Sequence, residues 1–222
     1  MTKKIRKDGN DGGEQLDVES ILASTYFQLG LQALEEKDLE KAITSFTTSL
    51  EYAPEDPFAY DRRGIAFGRD DRYEEALSDF NKAISIDDTN AGFYNNRGVS
   101  LYKKYQFDEA IADYNRAIQL SPDIAVFYAN RGLAYYWKGD IAAAIADYNT
   151  AIELEPTLPE THNNRGEAYA KLGQYEKADA DFNRELELNP NDILAYANHF
   201  WAEIISHNRP DPDQNDMEMG NA

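Results

Sequence analysis

Arginine recurs at fixed intervals in this chain: Arg63, Arg97, Arg131 and Arg165 are each 34 residues apart. A row of guanidinium groups has the fork geometry that binds phosphate or carboxylate. One residue ahead of three of them stand Asn96, Asn130 and Asn164, and Asn198 continues that row. A side-chain amide offers one acceptor and two donors. Amides at constant spacing can therefore bond the C=O and N–H groups of an extended peptide, whatever its side chains. A third constellation is His199, Glu203 and His207, spaced by four so that they share one helical face and could ligate a metal. Three ligands on one terminal helix make an open, weak site, so a solvated face is the expectation, with no metal and no cofactor. No phosphate-cradling glycine loop follows a strand, and nothing marks a desolvated carboxylate pair with split pKa values. The chain is not expected to be an enzyme.

The arginines have an evident partner. Asp79, Asp113, Asp147 and Asp181 follow them at a constant offset of 16 residues. The first unit of the period lacks both members together, holding Leu29 and Ser45. That joint absence indicates pairing, and a paired arginine is a poor anchor for a ligand. Arg97, Arg131 and Arg165 with Asp113, Asp147 and Asp181 are thus assigned to the scaffold. Asn81, Asn115, Asn149 and Asn183, two residues after each aspartate, are assigned to hydrogen bonds within or between repeats. The unpaired asparagine row lies about 100° around the helix from the arginines.

Composition narrows the partner. The 222 residues carry 22 Lys and Arg against 41 Asp and Glu, a net charge of −19. Nucleic acid and anionic lipid both require the opposite sign. There is no cysteine, so disulfides, thiolate catalysis and sulfur-ligated zinc are absent. Lys3, Lys4, Arg6 and Lys7 precede no apolar run, and no stretch reaches the ~20 apolar residues of a membrane span. A cytoplasmic location is expected.

The elements that position these residues follow from the same period. Gly30, Gly64, Gly98, Gly132 and Gly166 sit mid-helix, with an aromatic residue four before in most units. Twelve residues after each glycine comes Ala42, Ala76, Ala110, Ala144 or Ala178, and four later Phe46, Phe80, Tyr114, Tyr148 or Phe182. Glycine mid-helix costs about 1 kcal/mol relative to alanine, so its recurrence implies helices too close for a side chain. The expected arrangement sets the alanine against the glycine, with the aromatic ring filling the wedge beside it. Pro54, Pro122, Pro156 and Pro190 end the second helix of each pair. The second unit has Asp88 there, a softer stop. Tyr105 stands in the third turn where Gly139 and Gly173 stand in the next two.

A period of this size implies stacked helical pairs, none able to bury its apolar face alone. The pattern resembles the tetratricopeptide repeat family over residues 23–192. The repeats are 23–56, 57–90, 91–124, 125–158 and 159–192. The fold class implied is all-α, a right-handed α-solenoid or superhelix of antiparallel helix pairs, its concave face lined by the first helices. Residues 17–207 form that domain between polar, disordered tails at 1–16 and 208–222.

The resemblance carries a mode of binding. Asn96, Asn130, Asn164 and Asn198, which read a peptide backbone or else only solvate the groove or bond to neighbouring repeats, are expected to point into the concave groove. So are Phe27, Leu31, Phe58, Ile65, Val99, Tyr102, Leu133, Tyr136, Trp137 and Trp201, with Arg62, Arg69, Lys103 and Lys171 at the edge. Rings with a few cations suit a protein or peptide partner with apolar anchors and some acid. Chaperone-binding members clamp a C-terminal carboxylate with Lys, Asn and Arg. The position of the first Lys holds Phe27, Asp61, Asn95, Ala129 or Asn163 here, so no clamp is completed and a chaperone-tail adaptor is not expected. A capping helix at 193–207, opened by Asn191 or Asp192, closes the array. It has Phe200 where glycine belongs, and Trp201, Ile204 and Ile205 are left uncovered. A homodimer through that helix is the alternative to a groove-binding scaffold.

Overall fold

The computed structural model describes residues 18–207, excepting the side chains of Glu203, Ile205, Ser206 and His207. The expected tails at 1–16 and 208–222, and Asp17 as first cap, lie outside the described residues. Eleven helices and no strand occupy the described part: α1 (Val18–Glu35), α2 (Leu39–Tyr52), α3 (Pro57–Arg69), α4 (Tyr73–Ile86), α5 (Ala91–Lys103), α6 (Phe107–Leu120), α7 (Ala125–Lys138), α8 (Ile141–Leu154), α9 (Thr161–Lys171), α10 (Tyr175–Leu188) and α11 (Ile193–His207). It is an all-α solenoid.

Local chemistry sets the boundaries. Asp38, Asp56, Asn90, Asp140 and Asp192 accept hydrogen bonds from free N–H groups in the first turns of α2, α3, α5, α8 and α11. Asp192 rather than Asn191 is therefore the cap of α11. The second helices end at Tyr52, Ile86, Leu120, Leu154 and Leu188, the same register in every repeat. Asp88 is no softer a stop than proline, because Asp87 is already extended and its carboxylate holds Thr89. The turn inside each pair needs one left-handed residue: Lys37, Asp71, Tyr105, Gly139 and Gly173 all have positive φ.

One helix departs from the period. α9 begins at Thr161, whereas α7 begins at Ala125, the register of Pro159. Glu160 takes a left-handed conformation, φ 63°, and the helix starts two residues late. Glu185 of α10, buried where three other repeats have a buried alanine, accepts from the Glu160 N–H at 3.3 Å. A side chain from the next helix thus replaces a local cap.

Packing corrects one expectation. The aromatic ring, and not the alanine, sits on the glycine. A Cβ added to Gly30, Gly64, Gly98, Gly132 or Gly166 would stand 2.5–2.9 Å from the ring of Phe46, Phe80, Tyr114, Tyr148 or Phe182. The flat ring lies on the bare Cα, and the alanines line the buried seam beside it, fully enclosed. Each pair buries a small cluster that extends onto the next first helix, as Ala110, Ile111 and Tyr114 do with Ala134. Consecutive first helices α1, α3, α5, α7, α9 and α11 touch one another, while consecutive second helices do not. The first helices therefore lie on the inside of the curve, and their free faces form the concave surface.

Candidate functional site: the concave face of the first helices

The arginine ladder is scaffold. Arg63, Arg97, Arg131 and Arg165 each grip the aspartate of their own pair with two parallel bonds of 2.6–2.8 Å. The remaining nitrogen of Arg97, Arg131 and Arg165 donates to Asn81, Asn115 and Asn149 of the preceding repeat at 2.6–2.7 Å, and Arg63 uses Thr47 in the same way. The aspartates are buried and the arginines mostly so. Their hydrogen bonds to aspartate raise all four guanidinium pKa values above the usual arginine range. Burial opposes charge on both Asp79 and Asp181. It prevails at Asp79, whose carboxyl is pushed up despite Arg63. At Asp181, Arg165 and the nearby His162 outweigh it and hold the carboxyl below the usual range.

The ladder ends where arginine ends. His199 occupies the next arginine register and its Nδ1 lies 2.7 Å from Asp179. Asn183 has no arginine to serve and bonds within its own helix, to Asp179. His199 is the one described member of the His199, Glu203 and His207 row; the other two side chains lie outside the described residues. Among the described residues no cluster of three His, Asp or Glu is placed to hold a metal.

The asparagine row lies on the concave side, half-buried. The structure gives three of these amides a partner in the neighbouring repeat. Asn96 donates to Asp61 at 2.8 Å, Asn130 to Asn95 at 2.9 Å, and Asn198 to Asn163 at 3.0 Å and Glu167 at 2.9 Å. The bonds to Asp61, Asn95 and Asn163 span 35 residues and that to Glu167 spans 31, and each ties one first helix to the one before. The residue one before the previous repeat's asparagine is thus its acceptor. The Asn95–Asn96 and Asn163–Asn164 doublets were the signal. At the fourth repeat that acceptor is Ala129, so Asn164 has no such bond and makes no side-chain hydrogen bond among the described residues. Asp61 is a carboxylate in the same position, 2 % exposed. Burial raises its pKa, though the Asn96 bond and Arg62 at 3.7 Å pull it back part of the way.

Around the row the face is broken into shallow cavities. Phe27, Leu31, Phe58 and Ile65 line one of about 770 Å3 with Lys37, Arg62 and Arg69. Asn96, Val99 and Lys103 share the next, about 510 Å3, with Arg69 and Tyr73. Tyr136, Lys171, Asn198 and Trp201 line a third, about 500 Å3, with Glu167, Tyr175 and Phe182. Tyr102, Lys103 and Trp137 belong to a fourth, nearer the turns, of about 240 Å3. Of the eighteen residues expected at the groove, fifteen are spread over these adjacent sites, and Asn130, Leu133 and Asn164 line none of the four. The bond of Asn130 to Asn95 makes it a strut between them. The cations are informative. Lys37, Arg69, Lys103 and Lys171 line these cavities and have no carboxylate partner among the described residues, although the chain is strongly acidic. Lys171 sits instead 4.5 Å over the Tyr136 ring.

Family models for the "TPR repeat" match residues 70–104, 101–139 and 134–173, and models for the "Tetratricopeptide repeat" match 23–56 and 159–192. The chain belongs to the tetratricopeptide repeat family. No curated protein matches its sequence. Solved tetratricopeptide structures do resemble it. The Pseudomonas aeruginosa pilF protein is 21% identical with a TM-score of 0.77, over 87% of this chain and 88% of that one. YrrB, described as a TPR protein with an unusual peptide-binding site, is 23% identical with a TM-score of 0.62, over 79% and 90%. The first TPR domain of Spaghetti (RPAP3), solved with the HSP90 peptide SRMEEVD, is 29% identical with a TM-score of 0.52, over 53% and 93%. No helix among the described residues is long and apolar enough to cross a membrane.

Proposed function

We propose that this tetratricopeptide array is a non-catalytic interaction module, which holds an extended peptide segment along its concave face and acts as a scaffold or adaptor, in the cytoplasm. The observation that carries the reading is the coincidence on one face of amides, apolar cavities and cations that the protein itself leaves unpaired. A peptide with apolar anchors and acidic side chains meets all three: its apolar groups fill the cavities and its carboxylates meet exposed cations that no carboxylate of the chain holds. Peptide binding by YrrB and by the RPAP3 domain supports the mode. Neither names the partner.

Asn164 tests it most cleanly. Asn130 has two roles, because removing its amide also strands Asn95. Asn164→Ala removes a group with no other bond. Its expected effect is a loss of about 1 kcal/mol, roughly fivefold, in affinity for a peptide selected on the wild-type protein from an array of 12-residue sequences. Its melting temperature should match wild type, whereas Asn130→Ala should lower both. If Asn164→Ala binds every selected peptide like wild type, the amide row has no part in reading the ligand.

A second reading rests on α11. Ile193, Tyr196, Phe200 and Ile204 form a stripe at helical spacing, and Ile193 and Phe200 are 83% and 60% exposed. In α9 this face is covered by the second helix of its pair, as Phe182 covers Gly166. Here a second copy would do so, most simply about a two-fold axis. Light scattering at micromolar concentration should then report a dimer that Phe200→Glu dissociates. A monomer at every protein and salt concentration would remove this reading.

A further inference from the structure

Four aromatic rings converge where the α5–α6 turn meets the C-terminal end of α7. Tyr102, Tyr105, Phe107 and Trp137, with Lys103, line a cavity of about 240 Å3. Phe107 is its fixed point. The Tyr102 ring lies 5.8 Å from it, tilted by 50°, and the Tyr105 ring 6.1 Å from it, edge-on at 89°. Trp137 stands edge-on to Tyr136 at 5.8 Å, which orients the indole. Yet Tyr105 is 78% and Trp137 57% exposed. Tyr105 is also strained. It takes φ 61° at the turn position where the next two repeats have Gly139 and Gly173. A left-handed conformation is disfavoured for a residue with a side chain. A bulky ring held there, pointing at solvent among other rings, marks a contact surface.

The polar side-chain groups narrow the ligand. The Tyr102 and Tyr105 hydroxyls, the Lys103 ammonium and the Trp137 indole N–H make no hydrogen bond among the described residues. All four can donate, and the last two can only donate. A suitable ligand is therefore apolar and rich in acceptors. A quaternary or methylated ammonium, the usual guest of an aromatic cage, meets like charge in Lys103. Stacked nucleobases bring phosphates, which a net charge of −19 repels. A proline-rich segment fits. Its rings pack flat on aromatic side chains, its prolines carry carbonyls but no N–H, and its polyproline II helix forms at little entropic cost.

We infer that the Tyr102–Tyr105–Phe107–Trp137 cavity binds a proline-rich segment in the polyproline II conformation. This deepens the groove reading and rests on it, since Tyr102, Lys103 and Trp137 form the rim of the concave face between the third and fourth repeats. Such a segment would be the part of a bound peptide that leaves the groove there.

Dodecaproline is the probe. In a Trp201→Phe background Trp137 is the single tryptophan, and its emission should change saturably on titration. A Gly-Ser peptide of equal length should leave it unchanged. Tyr105→Gly installs the residue that its turn prefers, so the melting temperature should hold or rise while dodecaproline binding falls by about tenfold or more. No saturable change with dodecaproline, an equal response to Gly-Ser, or wild-type binding by Tyr105→Gly would each overturn the inference. Asn164→Ala lies outside this cavity and reads the selected peptides alone, so failure here and failure of the groove reading show up in different titrations.

Discussion

Arg131→Ala is expected to destabilise the array by about 3–5 kcal/mol, the range for breaking a buried pair by removing one partner. The cause is what remains. Asp147 is buried, 6% exposed, and loses both guanidinium bonds at once. Asn115 of the preceding repeat loses its donor at 2.6 Å, so the interface between the third and fourth repeats loosens together with the pair. The arginine also lies 5.6 Å from the Tyr128 ring centroid, and that contact goes too. Because stability in a solenoid is a sum over units and interfaces, chemical denaturation should lose its single transition, with the fourth repeat opening first. Arg131→Met combined with Asp147→Leu should recover most of the loss, since two apolar groups leave no charge behind. A fully stable Arg131→Ala variant would return the arginine row to the list of candidate ligand contacts.

Gly132→Ala should cost about 1–2 kcal/mol, against the sign that helix propensity assigns. Propensity alone favours alanine by about 1 kcal/mol. The new Cβ would stand 2.9 Å from Tyr148 Cε1 and 3.2 Å from the Ala144 carbonyl oxygen. The Tyr148 ring is fully buried and the carbonyl belongs to α8, so neither can give way without shifting the pair, and overpacking costs about 1–3 kcal/mol. Gly68 supplies the control. Its added Cβ would meet Ser100 Oγ at 3.7 Å and Ala76 Cβ at 4.0 Å, ordinary contacts. Gly68→Ala should therefore stabilise by up to about 1 kcal/mol. Urea midpoints of the two variants should move in opposite directions. If both move up, the ring on the glycine is not what keeps that position bare.

The sequence alone determined the architecture and the pairing of the arginines, and the reason is local geometry. Within one helical pair, a separation of 16 residues across a tight turn leaves little freedom, so Arg97 and Asp113 meet wherever such a pair forms. The joint absence of both partners at Leu29 and Ser45 made that visible without coordinates. The stops of the second helices were legible for the same reason. The tertiary structure decided everything that depends on how one repeat is set against the next. The sequence left the asparagine amides open between a peptide and a neighbouring repeat, because acceptors 35 residues away come within reach only where the stacking of first helices brings Asn96 to Asp61 or Asn130 to Asn95. The same stacking makes one residue, Ala129, leave the Asn164 amide without a side-chain hydrogen bond among the described residues. The late start of α9, with Glu185 under it, comes from a single backbone reversal at Glu160 that no periodicity encodes. Composition counts charges along a line. Which of the cations find a carboxylate, and which are left facing the groove, is settled by the curvature of the stack.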